Sequence, residues 1–179
     1  IQLTKGGSTV VNGYESITGQ INTELLKTHD DDKKSETEIN LFSDNNGRVE
    51  ANVTSTSPIS DKWTQSVLLH GNGTFGDTDM NDDGFLDRPK GSQLNVAYLL
   101  NYNDLENSGF ASHFGINYLK DERTAGQIGF NKRIPQKDQS LYGVGIDISR
   151  FQLWNKTGYV FKGKPYQSLG WMNQLTYHQ

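Results

Sequence analysis

The stretch Ser92-Gln93-Leu94-Asn95-Val96-Ala97-Tyr98-Leu99-Leu100-Asn101-Tyr102-Asn103 decides the fold class. Leu94, Val96, Tyr98, Leu100 and Tyr102 share one parity, and Gln93, Asn95 and Asn101 share the other. Successive side chains of an extended chain point to opposite faces, so this stretch predicts a strand with one apolar and one amide-rich face. The pattern recurs on both sides. Leu169, Trp171, Leu175 and Tyr177 stand against Gln174, Thr176 and His178; Phe110, Phe114, Ile116 and Tyr118 stand against His113 and Asn117. Weaker runs pass through Ile39 and Leu41, through Val49, Ala51 and Val53, and through Trp63, Val67 and Leu69. Helical periodicity is nearly absent, and about seven strands follow residue 34 on this count.

One stretch carries two phases. Tyr142, Val144, Ile146 and Ile148 share one parity, while Phe151, Leu153, Tyr159 and Phe161 share the other. A β-bulge near Ser149 and Arg150 would reconcile them, because one extra residue flips the faces. The connections also differ. The segments 44–47, 57–62, 103–109 and 162–165 are short and rich in turn residues, whereas 72–91 and 120–140 are long and polar. The run Asp30-Asp31-Asp32-Lys33-Lys34 reads as a solvated linker.

Composition excludes several classes. Seventeen Lys and Arg against 21 Asp and Glu give a formal charge of −4, the wrong balance for a nucleic-acid surface. Without cysteine there is neither a disulfide framework nor a thiolate metal site. No run of 18 apolar residues offers a transmembrane helix, yet barrel strands alternate and average to a polar composition. Ile1 to Lys5 lack the basic leader and apolar core of a signal peptide.

An antiparallel sandwich alternates as a barrel does, so alternation leaves both open. Three features favour the barrel. Strands of about ten residues suit a tilted membrane crossing. Trp63, Tyr102, Phe110, Tyr159, Phe161 and Tyr166 gather toward strand ends, as an interfacial girdle would. Asn, Gln and His on the polar face suit a wet interior.

The first 22 residues carry a resemblance. Ile1-Gln2-Leu3-Thr4-Lys5-Gly6, then Val10, Gly13, Ile17, Gly19 and Ile21-Asn22, resemble the end of the plug domain of TonB-dependent outer-membrane transporters. Gly7 stands where that family usually has Pro, and Asn12 where it has Tyr. The segment 11–22 looks like the Bacteroidetes branch, as do 68–71, 81–85 and 156–161 further along. The motif glycines also read physically as residues that permit tight reversals of short strands.

The resemblance implies an all-β chain: the end of a plug over 1–27, a linker over 28–34, and a partial antiparallel transmembrane β-barrel over 35–179. It implies a piece of a longer protein, since the family has roughly 22 barrel strands, a signal peptide, a TonB box and most of the plug ahead of this motif. Lys5, Gly6, Gly13, Gly19, Ile21 and Asn22 would be its plug residues. The implied activity is uptake of a scarce nutrient, with a metal chelate such as a siderophore expected, across the bacterial outer membrane. The implied partners are outer-membrane lipid, the TonB–ExbB–ExbD complex, a small-molecule substrate and a surface lipoprotein. No catalysis is implied. The alternative is a secreted, calcium-stabilised β-sandwich for adhesion or carbohydrate binding.

The sharpest local motif is Asp79-Met80-Asn81-Asp82-Asp83-Gly84-Phe85-Leu86-Asp87. Asp79, Asn81, Asp83, the Phe85 carbonyl and Asp87 occupy positions 1, 3, 5, 7 and 9 of a calcium loop, with Gly84 at 6. Lys90 replaces the bidentate Glu at position 12, and Asp77 offers a substitute; the competing reading is an ion-free acidic turn. His29, His70, His113 and His178 form no zinc-like pair. Trp63, Trp154 and Trp171 are expected at lipid-facing or girdle positions rather than on a sugar. No nucleophile elbow, P-loop or dinucleotide fingerprint occurs.

Overall fold

The computed structural model describes residues 2–5, 19–22, 34–164 and 166–179. The chain divides into two units, Ile1–Asp32 and Lys33–Gln179, with the division inside the charged run. In the first unit β1 (Gln2–Lys5) pairs antiparallel with β2 (Gly19–Asn22), setting Lys5 opposite Gly19 and Leu3 opposite Ile21. Lys5, Gly19, Ile21 and Asn22 of the plug-like motif therefore share one hairpin. Gly6, Gly13 and most of the 28–34 linker lie outside the described residues.

The second unit is one open sheet of seven antiparallel strands: β3 (Glu36–Ser43), β4 (Arg48–Pro58), β5 (Trp63–Thr74), β6 (Lys90–Asp104), β7 (Phe110–Gly126), β8 (Gly143–Val160) and β9 (Ser168–His178). Each strand pairs with the next, so the sheet is a simple meander. Among the described residues the only helical turn is the 3₁₀ segment Gln136–Asp138. Turn chemistry explains the reversals. Asp44 Oδ1 accepts the Asn46 and Arg48 N–H groups at 2.9 and 3.0 Å, and Gly47 takes φ 77°, as a left-handed turn position requires. The Arg48 N–H chiefly holds the Asp44 carboxyl below its ordinary range. At the 105–109 turn, Lys62 Nζ lies 2.9 Å from Asp104 Oδ2, and Asn107 Nδ2 donates to Asp104 Oδ1 at 3.1 Å.

Two sequence expectations are corrected. β6, β7 and β8 run 15, 17 and 18 residues, well past the expected ten. The long connections therefore shrink to 75–89 and 127–142, because ladder hydrogen bonds continue through polar side chains as readily as through apolar ones. Nor is there a bulge at Ser149 and Arg150. Pairing runs unbroken from Gly126 opposite Gly143 to Phe110 opposite Tyr159, with Lys120 opposite Ser149 and Leu119 opposite Arg150. The two phases are real: Val144, Ile146 and Ile148 lie on the face opposite to Phe151, Leu153 and Tyr159.

The sheet is a single layer. Leu99 is the only buried large hydrophobic among the described residues, at 5% exposure, while Thr56, Ser66, Thr74, Asp104 and Ser112 are the buried polar side chains. A sheet buried against a second layer would show the reverse.

Candidate functional site

Directly paired residues share a face, so the register sorts every side chain. One face carries Ile39 and Leu41 on β3, Val49, Ala51 and Val53 on β4, and Trp63, Val67 and Leu69 on β5. It continues through Leu94 to Tyr102 on β6, Phe110, Phe114, Ile116 and Tyr118 on β7, Phe151, Leu153 and Tyr159 on β8, and Leu169, Trp171, Leu175 and Tyr177 on β9. Most of these large side chains are exposed. Together they form an apolar belt.

The belt has edges. At the end with short turns Trp63, Tyr102 and Phe110 touch in series, with ring centroids 4.9 and 5.8 Å apart, and the Lys62–Asp104 ion pair lies just beyond. Lys62 first, then Asn107, holds the Asp104 carboxyl down to about 2. At the other end the same face turns polar one step past Tyr118 and Phe151: Lys120 lies 2.8 Å from Glu122, and Lys132 reaches Glu122 at 3.6 Å and also contacts Asp147. From Phe110 to Tyr118 is eight residues, about 27 Å along a strand. The belt also slides across the rows. On β3 and β4 it occupies the rows of Ser92, Leu94 and Val96; on β7 to β9 it extends to the rows of Tyr102 and Asp104.

The opposite face carries a hydrogen-bonded polar ladder. Arg48 donates to Glu50 at 2.6 Å, and Asn52 donates to the other Glu50 oxygen at 3.1 Å. His70, with its proton on Nδ1, donates to Asn52 Oδ1 at 2.6 Å, and its Nε2 accepts from Asn72 at 2.9 Å. Asn72 also donates to Gln93 at 2.9 Å, while its oxygen accepts from Arg123 at 3.5 Å; Arg123 in turn donates to Asp121 at 2.6 Å. Glu50, Asn72, Gln93 and Asp121 are successive cross-strand partners in one row. Two cations and two carboxylates balance within this strip. It offers amide, guanidinium and carboxylate groups to a polar ligand and carries no activated nucleophile.

Sequence reading anticipated an Asn-, Gln- and His-rich face but not this ladder. Its signal is polar residues at even spacing, Arg48-x-Glu50-x-Asn52 and His70-x-Asn72, which only the register joins. His113 and His178 lie on the polar face as expected, and His113 Nδ1 is 2.8 Å from Asn101 Oδ1. Trp63 and Trp171 lie on the apolar face. Trp154 does not: it pairs with Gly115 on the polar face, beside the Asn117–Gln152 hydrogen bond. Its indole packs against Gly115, so close that a β-carbon there would sit 2.2 Å from the ring.

The acidic loop uses its side chains locally. Asp79 accepts the Asp83 and Gly84 N–H groups at 3.2 and 2.9 Å, Asp83 accepts the Phe85 N–H at 2.8 Å, and Asp87 accepts the Met80 N–H at 2.8 Å. Asn81 donates to Asp83 at 2.9 Å. Among the described residues no three His, Cys, Asp or Glu side chains are grouped to hold a metal ion.

Comparison with protein families, with curated proteins and with solved structures gives no match to this chain.

Proposed function

We propose that the seven-stranded sheet is part of the wall of a TonB-dependent outer-membrane transporter, with the belt toward lipid and the polar ladder toward the lumen. One observation carries the reading. An exposed apolar band nine residues long on each of β6 to β9, the length of a tilted membrane-crossing strand, is bounded on the same face by aromatics and then by charges, and it is backed by a polar face. Its drift across the register rows suits strands tilted to the membrane, as barrel strands are. The secreted sandwich needs a second sheet over Leu94, Val96 and Tyr98, and the sheet of the Lys33–Gln179 unit is a single layer. The β1–β2 hairpin fits the end of a plug. Transport would be of a polar solute, with a metal chelate the favoured class, driven by the TonB–ExbB–ExbD complex.

The test is spin labelling of the native protein in its own membrane, one site at a time from Leu94 to Tyr102. Oxygen collisions should peak at 94, 96, 98, 100 and 102 and fall at the odd positions between. A flat profile, or a protein that stays monomeric in solution without detergent, overturns the reading.

A further inference from the structure

The 127–142 connection does not stand free of the sheet. Phe130 rests on Gly143 and Lys132 on Gly145, where a β-carbon would sit 2.4 and 2.5 Å from those side chains. Gly143 and Gly145 share the belt's face, in the rows beyond Phe151. The missing side chains therefore make a trough that folds the loop back over the outer side of the sheet, just past the belt. Between this loop and the ends of β6 and β7 lies a cleft of about 450 Å³. Lys90, Lys132 and Arg133 line it, with Phe75 and Phe130 at its walls and Glu122 as its one carboxylate. Phe75 lies against Gly73, in the row of Ser92 and Glu122, two residues or about 7 Å beyond Leu94.

We propose that this cleft, at the end whose long connections would face outward in a barrel with short turns at its inner end, holds the phosphate of an outer-leaflet lipid headgroup; the proposal rests on the membrane reading above. Aromatics followed by cations at the rim of a lipid-facing belt lie at headgroup level. Lys90 pairs with Asp77 at 2.5 Å, and Lys132 with Glu122 and Asp147, but an ammonium has three N–H donors and keeps some for a further anion. Arg133 has no ion pair among the described residues, and its planar fork suits two phosphate oxygens. The chain of such a lipid would run down the belt past Leu94 and Tyr118.

The experiment uses the intact protein extracted from its own membrane in mild detergent. Bound phosphorus is counted by native mass spectrometry, then titrated with vesicles containing an anionic phospholipid and, separately, with inorganic phosphate. Each cation near a lipid phosphate contributes about fivefold. Arg133→Gln should therefore weaken vesicle binding about fivefold, and Lys90→Gln with Arg133→Gln about 25-fold, while Lys162→Gln with Lys164→Gln at the opposite end leaves it unchanged. Equal binding by the double variant and wild type, an equal loss in the 162/164 control, or inorganic phosphate binding as tightly as the vesicles overturns the headgroup site. Arg133→Gln breaks no ion pair of the described fold, so its result stands even if the double variant is unstable. A membrane-resident protein that holds no lipid phosphate overturns this site alone; a protein needing no detergent overturns both readings.

Discussion

Gly115 has no room for a side chain, and that ties its identity to Trp154. An added methyl would meet the indole at 2.2 Å from Cε2, so Gly115→Ala must lift the ring off the strand. Overpacking of this kind costs about 1–3 kcal/mol. Trp154→Leu in the same chain should recover most of it, giving a coupling of about 0.5–3 kcal/mol in a double-mutant cycle read by denaturant unfolding. Additive losses would mean the two do not pack. The pair was half legible in sequence: Trp154 has the even parity of Gln152 and Arg150, which assigns it to the polar face, but tryptophan's frequency at membrane interfaces pulled the expectation the other way. Asp104 supports a pH prediction. Its folded pKa, about 2, lies below the ordinary 3.8, so its contribution is complete above about pH 4 and is lost as pH falls toward 2. Wild type and Asp104→Asn should differ in unfolding midpoint at pH 6 and converge near pH 2; a gap that persists at pH 2 would assign the effect to packing.

At the scale of the element, β8 is the instructive strand. Its two parities were visible in sequence, and a bulge was the cheapest way to keep every apolar residue on one face. The register shows that this premise fails. Past Phe151 the belt ends, so Asp147 and Ser149 take the belt's face while Ile146 and Ile148 take the other, opposite Arg123 and Asp121. Strand existence was legible because period two is local. Where a strand crosses from one environment to another is set by the neighbours' rows, which no single stretch encodes. Charge substitution separates the two accounts. On the proposed reading Ile116→Lys, at mid-belt, costs about 2–4 kcal/mol in a bilayer, while Ile146→Lys costs about 1 or less. Urea titration of the protein in liposomes measures both, and equal penalties would return Ile146 to the belt.

For the molecule as a whole, the sheet's two edges are unequal. β3 presents Glu36 and Glu38 on the polar face and is short, whereas β9 has eleven residues and no Asp, Glu, Lys or Arg. All eleven are exposed, and Leu169, Trp171, Leu175 and Tyr177 line one face. An uncharged edge with an apolar face is a template for another strand, and charge is the usual means of blocking it. This asymmetry, unlike the face assignment, could be read from composition once the strand was placed. The polar ladder could not, because His70 meets Asn52 only through an eighteen-residue separation closed by the β4–β5 register. Residues 33–179 refolded alone in water should therefore associate through β9. Thr176→Lys should suppress that association by a large factor, and Asn40→Lys on β3, where Glu38 already stands, should change it little. Sedimentation velocity at several concentrations distinguishes the cases. Association unaffected by Thr176→Lys but abolished by detergent would assign it to the belt instead, since detergent covers an apolar face without blocking an edge.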